Sequence, residues 1–511
     1  MARICLCLTA KTIDRNIEVL NKYRKFADIV ELRVDCLDQD ERLYIRRFPE
    51  LSPLPVILTI RRDIDGGYFS GGEGTRVKLL ARGLAFAQAD RRLNFAYVDI
   101  EEDCDVPSLE EAARTFGTRI IRSYHNFDGA VDNIPEKIKS MQRSGDEIIK
   151  AAVSVESSGD VLRVLQASKT FPKQDKILIC MGRFGLCSRI LAEKFGSFLT
   201  YSYALSENEA PGAPGQIDAK ELHELYRFKK ITKKTKIYGI AGYPLKASIS
   251  PWFFNKVFGL ENTDAVYVHF PTNSVTELLE IAKELNVQGL SVTVPYKEEI
   301  LKGLAGFSPM VRSVGACNTV YRSDDPALSD GWLGDNTDCA GFSDSLLSFL
   351  GKKNLSRQKV TIVGAGGAAR AIASEIFRLG GKALILNRTI SKARVLASPY
   401  KFRWGGIDDN GIALMSKFND IIIQTTSVGM DGYENADPLE LYSFTGKEAV
   451  MDLIYSPPAT LFLKRAIDAG CRTINGYDMV IRQACLQYYN FMGKEIPAQL
   501  LTRINKDGEQ S

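Results

Sequence analysis

Over its first 205 residues this chain repeats one unit eight times: a short apolar run, a polar turn, then an amphipathic stretch. The apolar runs fall at 3–8, 28–34, 55–60, 94–100, 118–124, 147–153, 176–181 and 197–203. Runs that are short and largely apolar suit strands covered on both faces. The stretches between them, such as 134–145 and 157–171, carry the helical period. Eight such units predict a parallel (β/α)8 barrel, although an open α/β sheet shares the local signal.

With 511 residues the chain exceeds what one hydrophobic core supports. The basic stretch 227–236, RFKKITKKTK, ends the repeat and reads as a solvated linker. A new α/β pattern begins at 236, with strand-like runs at 265–270 and 289–295 around a helical stretch at 276–286. After residue 338 the pattern becomes that of a mononucleotide-binding domain. The expected division is a barrel over 1–228, a substrate lobe over 236–338 and a dinucleotide-binding lobe over 339–505, its last helices returning to the substrate lobe.

Composition narrows the function classes. Sixty-six basic against 62 acidic residues leave a formal charge of +4, too little for a nucleic-acid surface. The expected partner is a small anion. No run approaches the roughly 18 apolar residues of a membrane span, and the first residues read as a strand rather than a leader. The three His and ten Cys show no metal-ligand spacing, so reduced thiols in a cytoplasmic protein are expected and no metal site is.

In a barrel of this kind chemistry gathers where strands end and βα loops begin. Those positions hold Glu31, Arg33, Arg61, Asp99, Glu101, His125, Lys150, Met181 and Arg189. Lys150 interrupts an apolar strand. It is either an edge residue snorkelling to water or a desolvated amine able to form a Schiff base with a ketone. His125, one strand earlier, is either a structural histidine or a general acid–base. Arg33, Arg61 and Arg189 suit a carboxylate, though each alone could sit in a surface salt bridge.

VELRVD (30–35), TIRRDIDGG (59–67), RSYHNF (122–127), DEIIKAAV (146–153), MGRFGLCSRI (181–190) and APGQ (213–216), in that order, resemble type I 3-dehydroquinate dehydratase over nearly all of 1–228. The resemblance implies that Lys150 forms an iminium with the C3 ketone of 3-dehydroquinate. His125 would remove the C2 proton and then protonate the departing C1 hydroxyl, a syn elimination. Glu31, Arg33, Arg61, Arg189 and Gln216 match substrate-contacting positions. Asp65 stands where the family usually has a Glu that orients the histidine, and Gly212 where it usually has Ser.

In the second half, KVTIVGAGGAARAIASEIFRLGG (359–381) is an apolar strand, a Gly-rich turn and a helix. Gly364 permits the turn, Gly366 lets the backbone approach a pyrophosphate at the helix N-terminus, and Ala369 packs helix on strand. The next strand ends in Asn387, Arg388 and Thr389, with Lys392 close behind. Where NAD-binding versions carry an acid there are two cations, which favours the 2′-phosphate of NADP. Upstream lie Ser248, Ser250, Thr293, Lys297, Asn318 and Asp338, plausible lining for a polyhydroxy acid, with a Lys/Asp pair able to relay a proton.

GYPLKASISP, GLSVTVPYK, GACNT, GDNTD, GAGGAAR, NRT, TTSVGM, DLIYSPPAT and GYDMVIRQA, in order, resemble shikimate dehydrogenase over 236–500. The resemblance implies Lys297 and Asp338 as the catalytic pair, and Ser248, Ser250, Thr293, Asn318, Tyr455 and Gln483 as substrate contacts. NADPH would lie along the Gly-rich turn, 387–392, Thr426 and Gly476. Ala247, Ile249 and Thr425 depart from residues common in the family. The two resemblances together imply consecutive reactions, 3-dehydroquinate to 3-dehydroshikimate to shikimate. Quinate as the second substrate is the nearer alternative, and a regulatory protein that binds these metabolites without turnover is the more distant one.

Overall fold

The computed structural model describes all residues except 86–89, 130–131, 206–211, 246–247, 324–330, 431 and 509–511. It forms two compact units, Met1–Gln288 and Gly289–Ser511.

The first unit contains the predicted barrel. Its strands are β1 (Arg3–Leu8), β2 (Ile29–Arg33), β3 (Val56–Thr59), β4 (Tyr97–Glu101), β5 (Arg119–Asn126), β6 (Ile148–Ser154), β7 (Lys176–Met181) and β8 (Leu199–Tyr203), with a short β9 (Ile217–Asp218) added beside β8. They pair in parallel in the order β7-β6-β5-β4-β3-β2-β1-β8-β9. The sheet curls until its ends meet, where Lys176 and Ser197 form a parallel bridge.

Strand alternation explains how one sequence builds both a core and a site. The inward cluster holds Cys5, Ile29, Ile57, Ile121, Ile148, Ile177 and Leu199, each near the start of its strand. Two and four residues further on, the same face carries Glu31 and Arg33, Thr59 and Arg61, Asp99 and Glu101, Ser123 and His125, and Lys150. The barrel is therefore apolar at the strands' N-terminal ends and charged at their C-terminal ends.

The basic stretch 227–236 is not a free linker. Phe228 is buried, Arg227 donates to the Phe258 and Thr263 carbonyls, and Lys229 pairs with Asp28 at 2.5 Å. Arg227 and Lys229 are thus held by the flanking elements, whereas Lys230, Lys233, Lys234 and Lys236 are exposed, as expected of a solvated stretch. Two parallel strands follow in the same unit, β10 (Lys236–Gly242) and β11 (Ala265–Pro271).

The chain passes into the second unit along β12 (Val287–Val292), which pairs antiparallel with β14 (Thr319–Arg322). That strand pairs with β15 (Trp332–Asp335), beside which lies the short β13 (Gly306–Phe307). A six-stranded parallel sheet then forms from β16 (Lys359–Val363), β17 (Lys382–Leu386), β18 (Arg403–Gly405), β19 (Ile421–Gln424), β20 (Ala449–Asp452) and β21 (Arg472–Ile474). Its order, β18-β17-β16-β19-β20-β21, reverses direction between β16 and β19, the doubly wound dinucleotide fold. Among the described residues no helix is long and apolar enough to cross a membrane.

Two candidate active sites

At the charged end of the barrel a cavity is lined by Glu31, Arg33, Arg61, Asp65, His125, Lys150, Met181, Arg189, Gly212 and Gln216. Of the strand-end residues, all but Asp99 and Glu101 line it, and Asp65 and Gln216 join them. Lys150 is 4% exposed, which removes the snorkelling alternative. Its Nζ donates to Asp99 at 2.9 Å and sits 4.4 Å above the Tyr201 ring. Asp99 also accepts from Arg61 at 2.8 Å and from the Ser123 hydroxyl at 2.5 Å. Arg61 reaches Glu101 at 2.7 Å, and Arg76 closes the other side of Glu101 at 2.5 Å.

This network sets the protonation states. Burial pushes the Asp99 carboxyl up, but Arg61, Lys150 and His125 outweigh it and hold it far below the usual carboxylate range. Burial, with Arg61 and Lys150 adding repulsion, drives His125 well below an ordinary imidazole. The ring is therefore neutral at pH 7, a form that can accept a proton. Its Nδ1 is buried and has no hydrogen-bond partner among the described residues.

The remaining groups fix an anion's place. Glu31 accepts from Thr59 at 2.8 Å and from the Cys7 thiol at 3.1 Å. Arg33 is clamped on Asp35. The Arg189 guanidinium is buried, which pulls its pKa down to about 10. It donates to the Pro214 carbonyl at 2.9 Å, and its Nε has no partner among the described residues. A buried guanidinium with an unused donor facing a cavity suits an incoming carboxylate. Gln216 accepts from the Gly212 N–H at 2.9 Å and donates to Cys7 Sγ at 3.4 Å.

One expected contact is not made. Asp65 lines the cavity, but its carboxylate accepts from Arg62 Nε at 2.6 Å, and no bond joins it to His125. Asp99, in contrast, sits at the centre of the network, yet the strand-end reading assigned it no role. The available signal was its place in YVDIE, where two acids fall on the inward face of a buried strand.

In the second unit Lys297 Nζ donates to Asp338 Oδ2 at 2.6 Å. Asp338 lies in the first turn of the helix Thr337–Leu350, whose cap Asn336 accepts from the Asp338 N–H. Asn318 Nδ2 donates to Asp338 Oδ1 at 2.8 Å and lies 3.4 Å from Gln483 Oε1. Gln483 reaches this point because the helix Tyr477–Met492 runs close to Thr337–Leu350 at Gly341, where a Cβ would lie 2.9 Å from Gln483 N. Four of the predicted residues thus share one cluster. Thr293 lies in the loop after β12 and half-buried Tyr455 follows β20. In the first unit Ser248 Oγ accepts from the Ser250 N–H at 3.3 Å, where the helix Ser250–Leu260 begins. Ala247 lies outside the described residues.

The Gly-rich turn fits a dinucleotide. Gly364 has φ +113°, and a Cβ there would lie 2.5 Å from Thr425 Oγ1. A Cβ added at Gly366 or Gly367 would meet no atom within 4 Å, so the backbone faces open space there. The helix Gly367–Arg378 begins without a side-chain cap, which leaves its first N–H groups for a phosphate. A cavity of about 580 Å³ opens beside Ala365, Gly366, Gly367 and Lys392. Arg388 and Lys392 are exposed beyond β17, and Asn387 donates to the Thr389 carbonyl. Thr426 accepts from the Val428 N–H, and Gly476 precedes Tyr477–Met492.

Comparison with known families and relatives bears on each part of the chain. The type I 3-dehydroquinase model matches residues 4–233. The shikimate dehydrogenase substrate binding domain model matches 240–320, and the shikimate / quinate 5-dehydrogenase model 348–430. The chain is 30% identical to the bifunctional 3-dehydroquinate dehydratase/shikimate dehydrogenase, chloroplastic, of Arabidopsis thaliana, covering 98% of this chain and 84% of the relative. It is 28% identical to the shikimate biosynthesis protein AroDE of Chlamydia pneumoniae, over 95% of this chain and 94% of that one. A shikimate dehydrogenase (NADP(+)) of Caldanaerobacter subterraneus is 37% identical over 52% of this chain and 94% of its own length.

Proposed function

The chain belongs to the bifunctional 3-dehydroquinate dehydratase/shikimate dehydrogenases, and from that premise we propose how its residues divide the work. It is an enzyme of the shikimate pathway that dehydrates 3-dehydroquinate and carries out the NADP-dependent reduction of 3-dehydroshikimate to shikimate. We assign the barrel to 1–228, the substrate lobe to 236–338 and the NADP lobe to 339–505, a division supported by the spans of the three family models.

In the barrel Lys150 attacks the C3 ketone, water leaves, and the resulting iminium draws electrons from C2. Neutral His125 takes the C2 proton and returns it to the departing C1 hydroxyl, and water then hydrolyses the product iminium, releasing 3-dehydroshikimate and the Lys150 amine. Asp99 and Arg61 hold the amine in place, and Arg189 receives the carboxylate with help from Arg33 and Gln216. The observation that carries this reading is the meeting, in one cavity, of a buried Lys150 and of His125, whose Nδ1 has no hydrogen-bond partner among the described residues.

In the second site NADPH supplies the hydride when bound. Lys297 delivers the proton to the carbonyl oxygen, and Asp338, held by Asn318, keeps that amine oriented. Ser248, Ser250, Thr293, Tyr455 and Gln483 bind the substrate's hydroxyl and carboxylate groups. The backbone of Gly364–Ala368 holds the pyrophosphate, with Thr426 and Gly476 alongside, and Arg388 and Lys392 hold the 2′-phosphate beside Asn387 and Thr389. A reducing compartment, the cytoplasm, suits the ten free thiols.

Incubation with 3-dehydroquinate and NADPH tests the whole reading. Enone absorbance should rise and then fall as NADPH is consumed and shikimate forms. Borohydride added during the first step should leave a substrate adduct on Lys150, detected by mass spectrometry, and an unlabelled Lys150 would remove the Schiff-base assignment. Quinate offered with NADP⁺ measures the competing substrate.

A further inference from the structure

The two reactions are joined by more than a peptide linker. In the first unit the stretch Lys236–Gln288, which belongs to the dehydrogenase, touches the barrel along the helix Ser158–Thr170 that follows β6 and on the segment that follows β7. Phe184 lies in the loop after β7 and stacks on Tyr243, which follows β10, with ring centroids 5.0 Å apart and planes 16° from parallel. The geometry points to Phe184 and Tyr243 as a joint that ties the barrel's substrate-binding rim to the dehydrogenase's serine loop, each ring a positioning residue for the other domain's site.

Phe184 sits between two cavity-lining residues, Met181 and Arg189. The segment joining them is stiff. A Cβ on Gly185 would lie 2.0 Å from the Cys180 carbonyl oxygen, so the loop backbone packs directly on β7. Ser188 Oγ donates to the Gly185 carbonyl at 2.7 Å and accepts from the Cys180 N–H at 3.2 Å. A displacement of Phe184 is therefore passed to Met181 and Arg189 rather than absorbed.

A second contact locks the same ends together. The Gly242 carbonyl, next to Tyr243, accepts from Thr272 at 3.1 Å. The Thr272 hydroxyl lies 3.1 Å from Ser158 Oγ. Ser158 opens the barrel helix after β6, the strand that carries Lys150. Its N–H donates to Asn273 Oδ1 at 3.1 Å, and its hydroxyl lies 2.7 Å from Glu277. Glu277 also sits against Gly159, so the dehydrogenase supplies acceptors and negative charge to that helix's N-terminus. The Ser158 and Phe184 contacts fall on the segments that follow β6 and β7, the strands carrying Lys150 and Met181, while the rest of the interface runs along the helix Ser158–Thr170 as far as Lys169. On the other side, Tyr243 precedes Ser248 by five residues.

The inference rests on the two sites assigned above, and its test reads each site from a change in the other domain. Full-length Phe184→Leu should raise the KM for shikimate about three- to tenfold with kcat near parental. Tyr243→Leu should raise the KM for 3-dehydroquinate by about the same factor. The double variant should be no worse than either single one, as expected for one shared contact. Tyr243→Phe should restore both KM values, and Lys169→Met, which breaks an exposed pair with Glu284 across the same interface, should leave both unchanged. If a leucine variant fails to fold, Phe184→Met and Tyr243→Met carry the same reading. KM changes confined to the mutated domain, or additive effects in the double variant, would overturn the joint. A parent chain lacking either activity would instead remove the site assignment, and the joint with it.

Discussion

Each active site uses a lysine paired with an aspartate, and the two pairs are built differently. Lys150 and Asp99 are enclosed, the aspartate side chain fully and the lysine at 5% exposure, and Arg61, Glu101 and Arg76 continue the network on one side. Lys297 and Asp338 keep 21% and 12% exposure, and a neutral amide, Asn318, donates to the aspartate. The difference follows from the chemistry. A lysine that must attack a carbonyl has to be held at one point beside the reacting carbon, and an enclosed network of alternating charges does this. A lysine that only passes on a proton needs one orienting partner and access to solvent to recover it.

The largest expected effect separates the two reactions. Lys150→Ala should lower dehydratase turnover at least about 10³-fold, since the covalent route is lost. Lys150→Arg should do the same, because a guanidinium does not give up its proton. Shikimate dehydrogenation by these variants should stay parental. Lys297→Ala should lower dehydrogenase kcat by about 10²- to 10⁴-fold with little change in KM, the signature of lost acid–base catalysis. Steady-state assays of both reactions on each variant check the contrast.

Stability should divide the pairs next. Asp99→Asn leaves Arg61 and Lys150 buried with too little negative charge, and should cost about 3–5 kcal/mol in urea unfolding of the first unit. Asp338→Asn removes a partner from a pair that water still reaches, so about 1 kcal/mol is expected. Equal losses would mean that the barrel network is more solvated than its burial implies.

On the dinucleotide side, Arg388→Ala should raise the KM for NADPH about tenfold, the effect of losing one charge-assisted contact. The KM for NADH should hardly move, because that cofactor lacks the 2′-phosphate. Cofactor titrations with both nucleotides distinguish this from a general loss of binding.

The pH response should again mark the enclosed site. Burial holds the folded pKa of His125 below its ordinary value of 6.5. The unfolded chain therefore binds more protons in that range, and stability rises with pH. The contribution is fully present above about pH 6.5 and is lost as pH falls from there toward the folded value. His269, also lowered by burial, acts in the same direction, so the readout is the difference between parent and His125→Asn. The variant should lose less stability between about pH 6.5 and 5.

Much of this is legible in the sequence, for a physical reason. Strand alternation puts Glu31, Arg33, Arg61, His125 and Lys150 on one face at one end of a barrel, and the Gly-rich turn with its basic strand end is a local pattern. What stayed hidden depended on contacts between distant segments. The charged run 227–236 read as solvated throughout, but Asp28 and the Phe258 and Thr263 carbonyls, far away in sequence, capture Lys229 and Arg227. Asp99 was visible only as one acid among several until Lys150 and Arg61 were seen to converge on it.

Asp65 tests the smallest difference. The family's usual Glu at this position implies a carboxylate that orients the histidine, yet Asp65 is held by Arg62, which also bonds Asp103. His125 is instead fixed by burial and by its strand, with Asp99 supplying the nearby negative charge that partly offsets Arg61 and Lys150. If that is sufficient, Asp65→Glu should change dehydratase kcat/KM by less than about threefold, well under the 10²- to 10⁴-fold typical of gaining an acid–base partner. The added methylene moves the carboxylate without removing Arg62, so the ion pair competes with any new bond to the ring. A rise of tenfold or more would show that the shorter acid holds the barrel below its capacity. In that case the enclosed network, for all its charge, would leave the imidazole short of one orienting contact.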